Sequence, residues 1–173
     1  MKHKKSQIAQ VFIYILALFI FALILYYGYY SISSFIKKGE EVVYIKFKTQ
    51  LESEVEAILP QYGSVSIFNK NKPLKAPGKA EEACFVSYNA VGNIGVITGE
   101  SAAELQKYPI IKLSIESGTE ENVFLLPREE RVPISFLRIE IPGGFSCIPV
   151  KQGRLDIRLE SLGNAVEIIE YIE

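Results

Sequence analysis

"KKSQIAQVFIYILALFIFALILYYGYY" (residues 4–30) decides how the rest of the chain is read. Two lysines and a short polar step lead into a long apolar run that closes on Tyr26, Tyr27, Tyr29 and Tyr30. Between Val11 and Tyr30 there is neither a charge nor a proline, and uncharged sequence continues through Ile36. At about 1.5 Å of rise per residue, residues 11–30 make a helix about 30 Å long, the thickness of a bilayer's hydrocarbon core. A cleavable secretory signal has a shorter apolar region, roughly 7–15 residues, followed by a small-x-small site. No such site follows this run. The run is also apolar on all sides, unlike a helix laid on a soluble core. The tyrosines fit a membrane-interface belt, where ring and hydroxyl want different solvents. The stretch therefore predicts a basic leader over 1–6 and a transmembrane helix over 7–36, with the lipid bilayer as first partner.

Orientation does not follow from charge. Lys2, Lys4 and Lys5 flank one end of the run, and Lys37, Lys38, Lys46 and Lys48 the other, so the positive-inside tally is nearly balanced. Beyond the run, what is left of the 173 residues suffices for one domain with its own core. A net charge of −1, with no basic stripe carrying interleaved aromatics, argues against nucleic acid as a partner.

Gly39 separates the apolar run from a second helical pattern. Val43, Phe47, Leu51, Val55 and Leu59 recur at four-residue steps, with most glutamates off that stripe. This predicts an amphipathic juxtamembrane helix over 37–60, stopped by Pro60 and Gly63. It could continue the first helix, bent near Gly28 or Gly39.

The period then changes. "SVSIF" (64–68) reads as a strand, and "NKNKPLKAPGKAEEA" (69–83) as an exposed polar loop. "CFVSYNAVG" and "NIGVIT" read as a hairpin through Val91-Gly92. "ESAAELQK" (100–107) reads as one or two helical turns, capped by Thr98 or Ser101 and stopped by Pro109. Further strands are expected at "PIIKLSIES", "NVFLLP", "PISFLRIEI", "FSCIPV", "GRLDIRLES" and "AVEIIEYIE". In residues 154–160, Leu155, Ile157 and Leu159 alternate with Arg154, Asp156, Arg158 and Glu160, as in a half-buried antiparallel strand. The fold class expected is α+β: a long N-terminal transmembrane helix, then an antiparallel sheet or sandwich over 64–173.

Cys84 ("ACFVSY") and Cys147 ("FSCIPV") lie in strand-like apolar runs. In an extracytoplasmic domain they could form one disulfide; otherwise each is a small buried hydrophobe. A zinc site is not expected, because the only histidine is His3 and there is no Cys-x-x-Cys. No serine or cysteine has a histidine in the domain to activate it, and "VGNIG" and "PGGF" match no phosphate-binding loop. The pairs Glu81-Glu82, Glu120-Glu121 and Glu129-Glu130 read as solvated charges, and "PREERVP" (127–133) as a charged turn or contact surface. The reading is of a non-enzyme without cofactors.

"KKSQIAQVFIYIL" resembles the class III signal peptide of archaeal type IV pilin-like proteins: a short basic leader, a small residue, then glutamine opening an apolar helix. Lys5, Ser6 and Gln7 carry the likeness, which spans about 25 residues. The resemblance implies that a prepilin peptidase cuts between Ser6 and Gln7 on the cytoplasmic side. The helix then stays attached, and the C-terminal domain lies outside. It also implies pilin-like or envelope subunits as partners, a second copy of this chain among them. One position departs from the pattern. Pilins that polymerise usually carry glutamate at the fifth mature position, and here that residue is Val11, preceded by the uncharged Gln10. The alternative is a plain single-pass anchor bearing a β-domain that never polymerises and serves as an envelope adhesion or accessory subunit.

Overall fold

The computed structural model describes residues 3–127, 133–135 and 138–172, with side chains from Phe12 onward except that of Lys37. The chain divides into two compact units, Met1–Glu41 and Val42–Glu173. One helix, α1, spans His3–Ile58, so it makes up the first unit and opens the second. The helix assignment runs through Gly28 and Gly39 without interruption. No proline occurs before Pro60; the chain turns there, and Gly63, at a φ of +77°, donates its N–H to Ser161 O at 2.8 Å.

In the second unit α1 buries Tyr44, Phe47, Leu51, Val55 and Ile58. Phe47, Leu51 and Val55 were legible as a stripe; its ends lie elsewhere, with Val43 and Leu59 only half-buried. A helix turns about 100° per residue, so each four-residue step overshoots the axis by about 40°. Over several steps such a row drifts off the core face. Steps of three at both ends bring Tyr44 and Ile58 back onto it.

After α1 come β1 (Val65–Phe68), β2 (Leu74–Lys75) and β3 (Glu82–Val86), then α2 (Gly99–Leu105) and α3 (Pro109–Glu116). The chain continues with β4 (Val123–Leu126), β5 (Ile139–Glu140), β6 (Phe145–Pro149), β7 (Arg154–Leu155), β8 (Ile157–Ser161) and β9 (Val166–Glu170). They form a four-stranded sheet in the order β1-β8-β9-β5, a three-stranded sheet β4-β3-β6 and a two-stranded pair β2-β7. The layout is α+β: a long N-terminal helix followed by a sheet domain. The sheet is mixed and not wholly antiparallel, because β5 runs parallel to β9, pairing Ile139 with Val166. A two-residue strand carries too little pattern to announce its direction.

Strand β3 occupies the centre of its sheet and is buried on both sides. Ala83 and Phe85 face the core shared with α1 and the larger sheet; Cys84 and Val86 face a second core built with α2 and α3. Its neighbours follow the same alternation: Val123 and Ile148 join the first core, Phe124 and Phe145 the second.

Three local expectations are corrected. The hairpin at 84–98 does not form: both edges of β3 are taken by β4 and β6, and Tyr88–Ala90 and Ile94–Val96 are 3-10 turns. "PIIKLSIES" is the helix α3. Pro109 at its first turn has φ pre-set for a helix, and Ile111 and Ile115, four apart, are the buried residues. Pro109 thus opens a helix as well as following one. Finally, loop 69–83 is not simply exposed, since Leu74, Ala76 and Ala83 are buried and β2 pairs with β7. Of the stretch expected as a strand at 133–141, Phe136 and Leu137 lie outside the described residues, as do 128–132 of the charged turn.

Candidate functional site

Two features stand out by their chemistry. The first is the surface of α1 in the first unit. Every large apolar or aromatic side chain described from Phe12 to Ile36 is exposed, from 42% at Leu23 to 79% at Tyr29. Its most apolar window has a mean hydropathy of 2.2, and no part of that window is buried. This helix is long and apolar enough to cross a membrane. A surface of this kind far exceeds the few hundred Å² of contiguous apolar patch usual on a soluble monomer. Tyr26, Tyr27, Tyr29 and Tyr30 fall within little more than one helical turn; the rings of Tyr26 and Tyr27 meet edge to face with centroids 5.7 Å apart. Lys5, Ser6 and Gln7 lie within α1 by backbone, and their side chains are outside the described residues.

The second feature is on the three-stranded sheet. Cys84 of β3 and Cys147 of β6 are directly opposite one another in register, with Cα atoms 3.9 Å apart, and their sulfurs are bonded at 2.00 Å. Cys84 is fully buried; Cys147 is half-buried. Glu82, two residues before Cys84, projects from the same face of β3. Its carboxylate and the two sulfurs lie within 4.8 Å of one another. With the sulfurs bonded, the trio offers one carboxylate and no thiolate, so it is not a thiolate metal centre. Tyr108, at the start of α3, donates its hydroxyl to Glu82 Oε2 at 2.8 Å and packs its ring 6.0 Å from that of Phe145. Burial, together with the hydrogen bond to Glu82 and the charges of Glu82 and Glu104, pushes the Tyr108 phenol up to about 12. Glu82 is therefore not the freely solvated charge expected of the Glu81-Glu82 pair. Its partner is 26 residues away, which no local pattern announces. The i, i+2 spacing of Glu82 and Cys84 was visible, but only once β3 is known to be a strand.

A third cluster ties α1 to the loop after β1. Ser66 donates to Glu54, and Lys72 Nζ contacts the same carboxylate at 2.5 Å while lying 5.0 Å from the Phe68 ring centroid. Burial alone would raise the Glu54 carboxyl; hydrogen bonds from Lys72 and Ser66 and the Lys72 charge outweigh it and hold it below its ordinary value. This is a structural clamp rather than a binding site.

Comparison of the chain with protein-family models, with curated proteins and with solved structures finds no match.

Proposed function

We propose that this chain is a pilin-like or pseudopilin-like surface protein, held by its N-terminal helix, with a structural and binding role rather than a catalytic one. The observation that carries the reading is the uncovered apolar surface of α1 from Phe12 to Ile36, which includes the tyrosine cluster. Such a surface needs lipid or other helices around it. The leader-like Lys5-Ser6-Gln7 supports prepilin-peptidase cleavage before Gln7 and a domain outside the membrane. The cystine is consistent with that side, since disulfides persist in oxidising compartments.

Intact-mass spectrometry of the protein from its native membrane tests the reading. A mature chain beginning at Gln7 is expected. A chain that keeps Met1 through Ser6 sinks the leader and leaves a plain anchor. Val11 favours a second reading, in which the anchored domain serves as an envelope binding or accessory subunit without polymerising. Electron microscopy of purified surface filaments separates the two, because only the first reading puts this chain in them.

A further inference from the structure

The geometry points to a charge-selective thiol-exchange site at the Cys84–Cys147 cystine, with Cys147 the sulfur attacked and Glu82 the residue that disfavours anionic thiols. Exchange requires a thiolate to approach one sulfur in line with the bond that breaks. Cys84 offers no approach: it sits on the central strand with no exposed surface, in a core with Phe124, Ile111 and Ile115. Cys147 is on the outer strand β6 and is only half-buried. A small thiol, as its thiolate, therefore bonds to Cys147 Sγ. The Sγ–Sγ bond breaks, and its electron pair leaves on Cys84 Sγ, which takes a proton from water. A second thiolate attacks the sulfur of the bound thiol, releasing the small disulfide and the Cys147 thiolate. Two thiols are oxidised to one disulfide, and the cystine is reduced to two thiols.

The incoming thiolate brings its own tail charge to within reach of Glu82, whose carboxylate lies within 4.8 Å of both sulfurs. Tyr108 anchors that carboxylate by its 2.8 Å hydrogen bond, so the charge cannot swing away. A cationic tail is attracted and an anionic one repelled. The departing Cys84 thiolate is disfavoured by the apolar core and by the same carboxylate, which keeps exchange slow for every thiol. Glu82 is a positioning residue for charge; it exchanges no bond itself.

The test uses the full chain in neutral detergent micelles. Opening of the cystine is timed with cysteamine and with 3-mercaptopropionate, each rate divided by that of the same thiol with a small uncharged disulfide, which removes differences in thiolate fraction and intrinsic nucleophilicity. Samples are quenched with a maleimide and mapped by peptide mass. The adduct is expected on Cys147, with cysteamine faster than 3-mercaptopropionate by about threefold or more. In Glu82→Gln that ratio should fall toward one; in Tyr108→Phe, which keeps the carboxylate, a preference for cysteamine should remain. General loosening of the fold would speed both thiols alike and leave the ratio unchanged. An adduct on Cys84 overturns the proposal. So do equal rates in the unaltered chain, a ratio insensitive to Glu82→Gln, or no opening without denaturant.

Discussion

Glu54 shows how one residue fastens α1 to the sheet domain. Its carboxylate takes both the Ser66 hydroxyl and the Lys72 ammonium, and its folded pKa lies below its ordinary value of 4.5. A group whose pKa falls on folding contributes stability above its unfolded pKa and loses that contribution as pH drops through the folded value. The unaltered domain should therefore outlast Glu54→Gln at pH 7 by about 1 kcal/mol. The gap should narrow as the medium is acidified below pH 4.5. Denaturant midpoints of both proteins at several pH values check this; a gap constant with pH would show that the charge is not what matters. Leu51, with no exposed surface beneath the same helix, belongs to the other class of contact. Leu51→Ala removes packing and leaves a cavity, for an expected loss of about 3 kcal/mol at any pH, read as a lowered unfolding midpoint.

Among the elements, α3 separates what sequence can and cannot say. "PIIKLSIES" has apolar residues at 111, 113 and 115, a period of two that suits a strand, and at 111 and 115, a spacing that suits a helix. The two readings make different demands on Leu113. On a strand it shares a face with Ile111 and Ile115; in α3 it is 65% exposed while both isoleucines are buried. Ile115→Ala should thus cost about 3 kcal/mol and Leu113→Ala under about 0.5 kcal/mol, as thermal unfolding of the two variants would reveal. Elements with one dominant pattern were legible: β1, β4, β6, β8 and β9 fall within the stretches that predicted them, and α1 joins the two helical stretches into one, beginning at His3 inside the segment read as a leader. Strand β8 carries the same Ile157 and Leu159 alternation inward that its sequence shows. What escaped depends on distant partners. The failed hairpin after β3 was decided by β4 and β6, and the direction of β5 by β9. The Glu82–Tyr108 contact at the cystine was hidden for the same reason, while the two cysteines were visible and only their pairing was open.

At the scale of the molecule, the proposed anchoring rests on α1 staying free of charge through its apolar run. Two lysines placed one turn apart at Leu18 and Ala22 should abolish it, since each costs about 3 kcal/mol near a bilayer centre. The unaltered chain is expected in the membrane pellet after alkaline extraction and the doubly substituted one in the supernatant. Retention of both would mean that something other than this helix holds the protein. The Cys84–Cys147 bond closes a loop with a sequence separation of 63 and spans all of α2, α3, β4 and β5. Opening it should lower the domain's stability by about 4 kcal/mol in the chain-entropy account, measured as the denaturant midpoint with and without reductant. The position of β9 bears on how the domain comes into being. It is hydrogen-bonded on both sides, to β8 and to β5, so the larger sheet has a gap at its centre until synthesis has passed Glu170. Until then the apolar row Tyr44–Phe47–Leu51 on α1 lacks Val166 and Ile168, which belong to the same core. The ribosome makes α1 first and the keystone more than a hundred residues later. A growing chain thus carries its long apolar helix while its sticky, half-built domain waits, which makes this interval the natural point for an escort to act and for premature termination to yield aggregates.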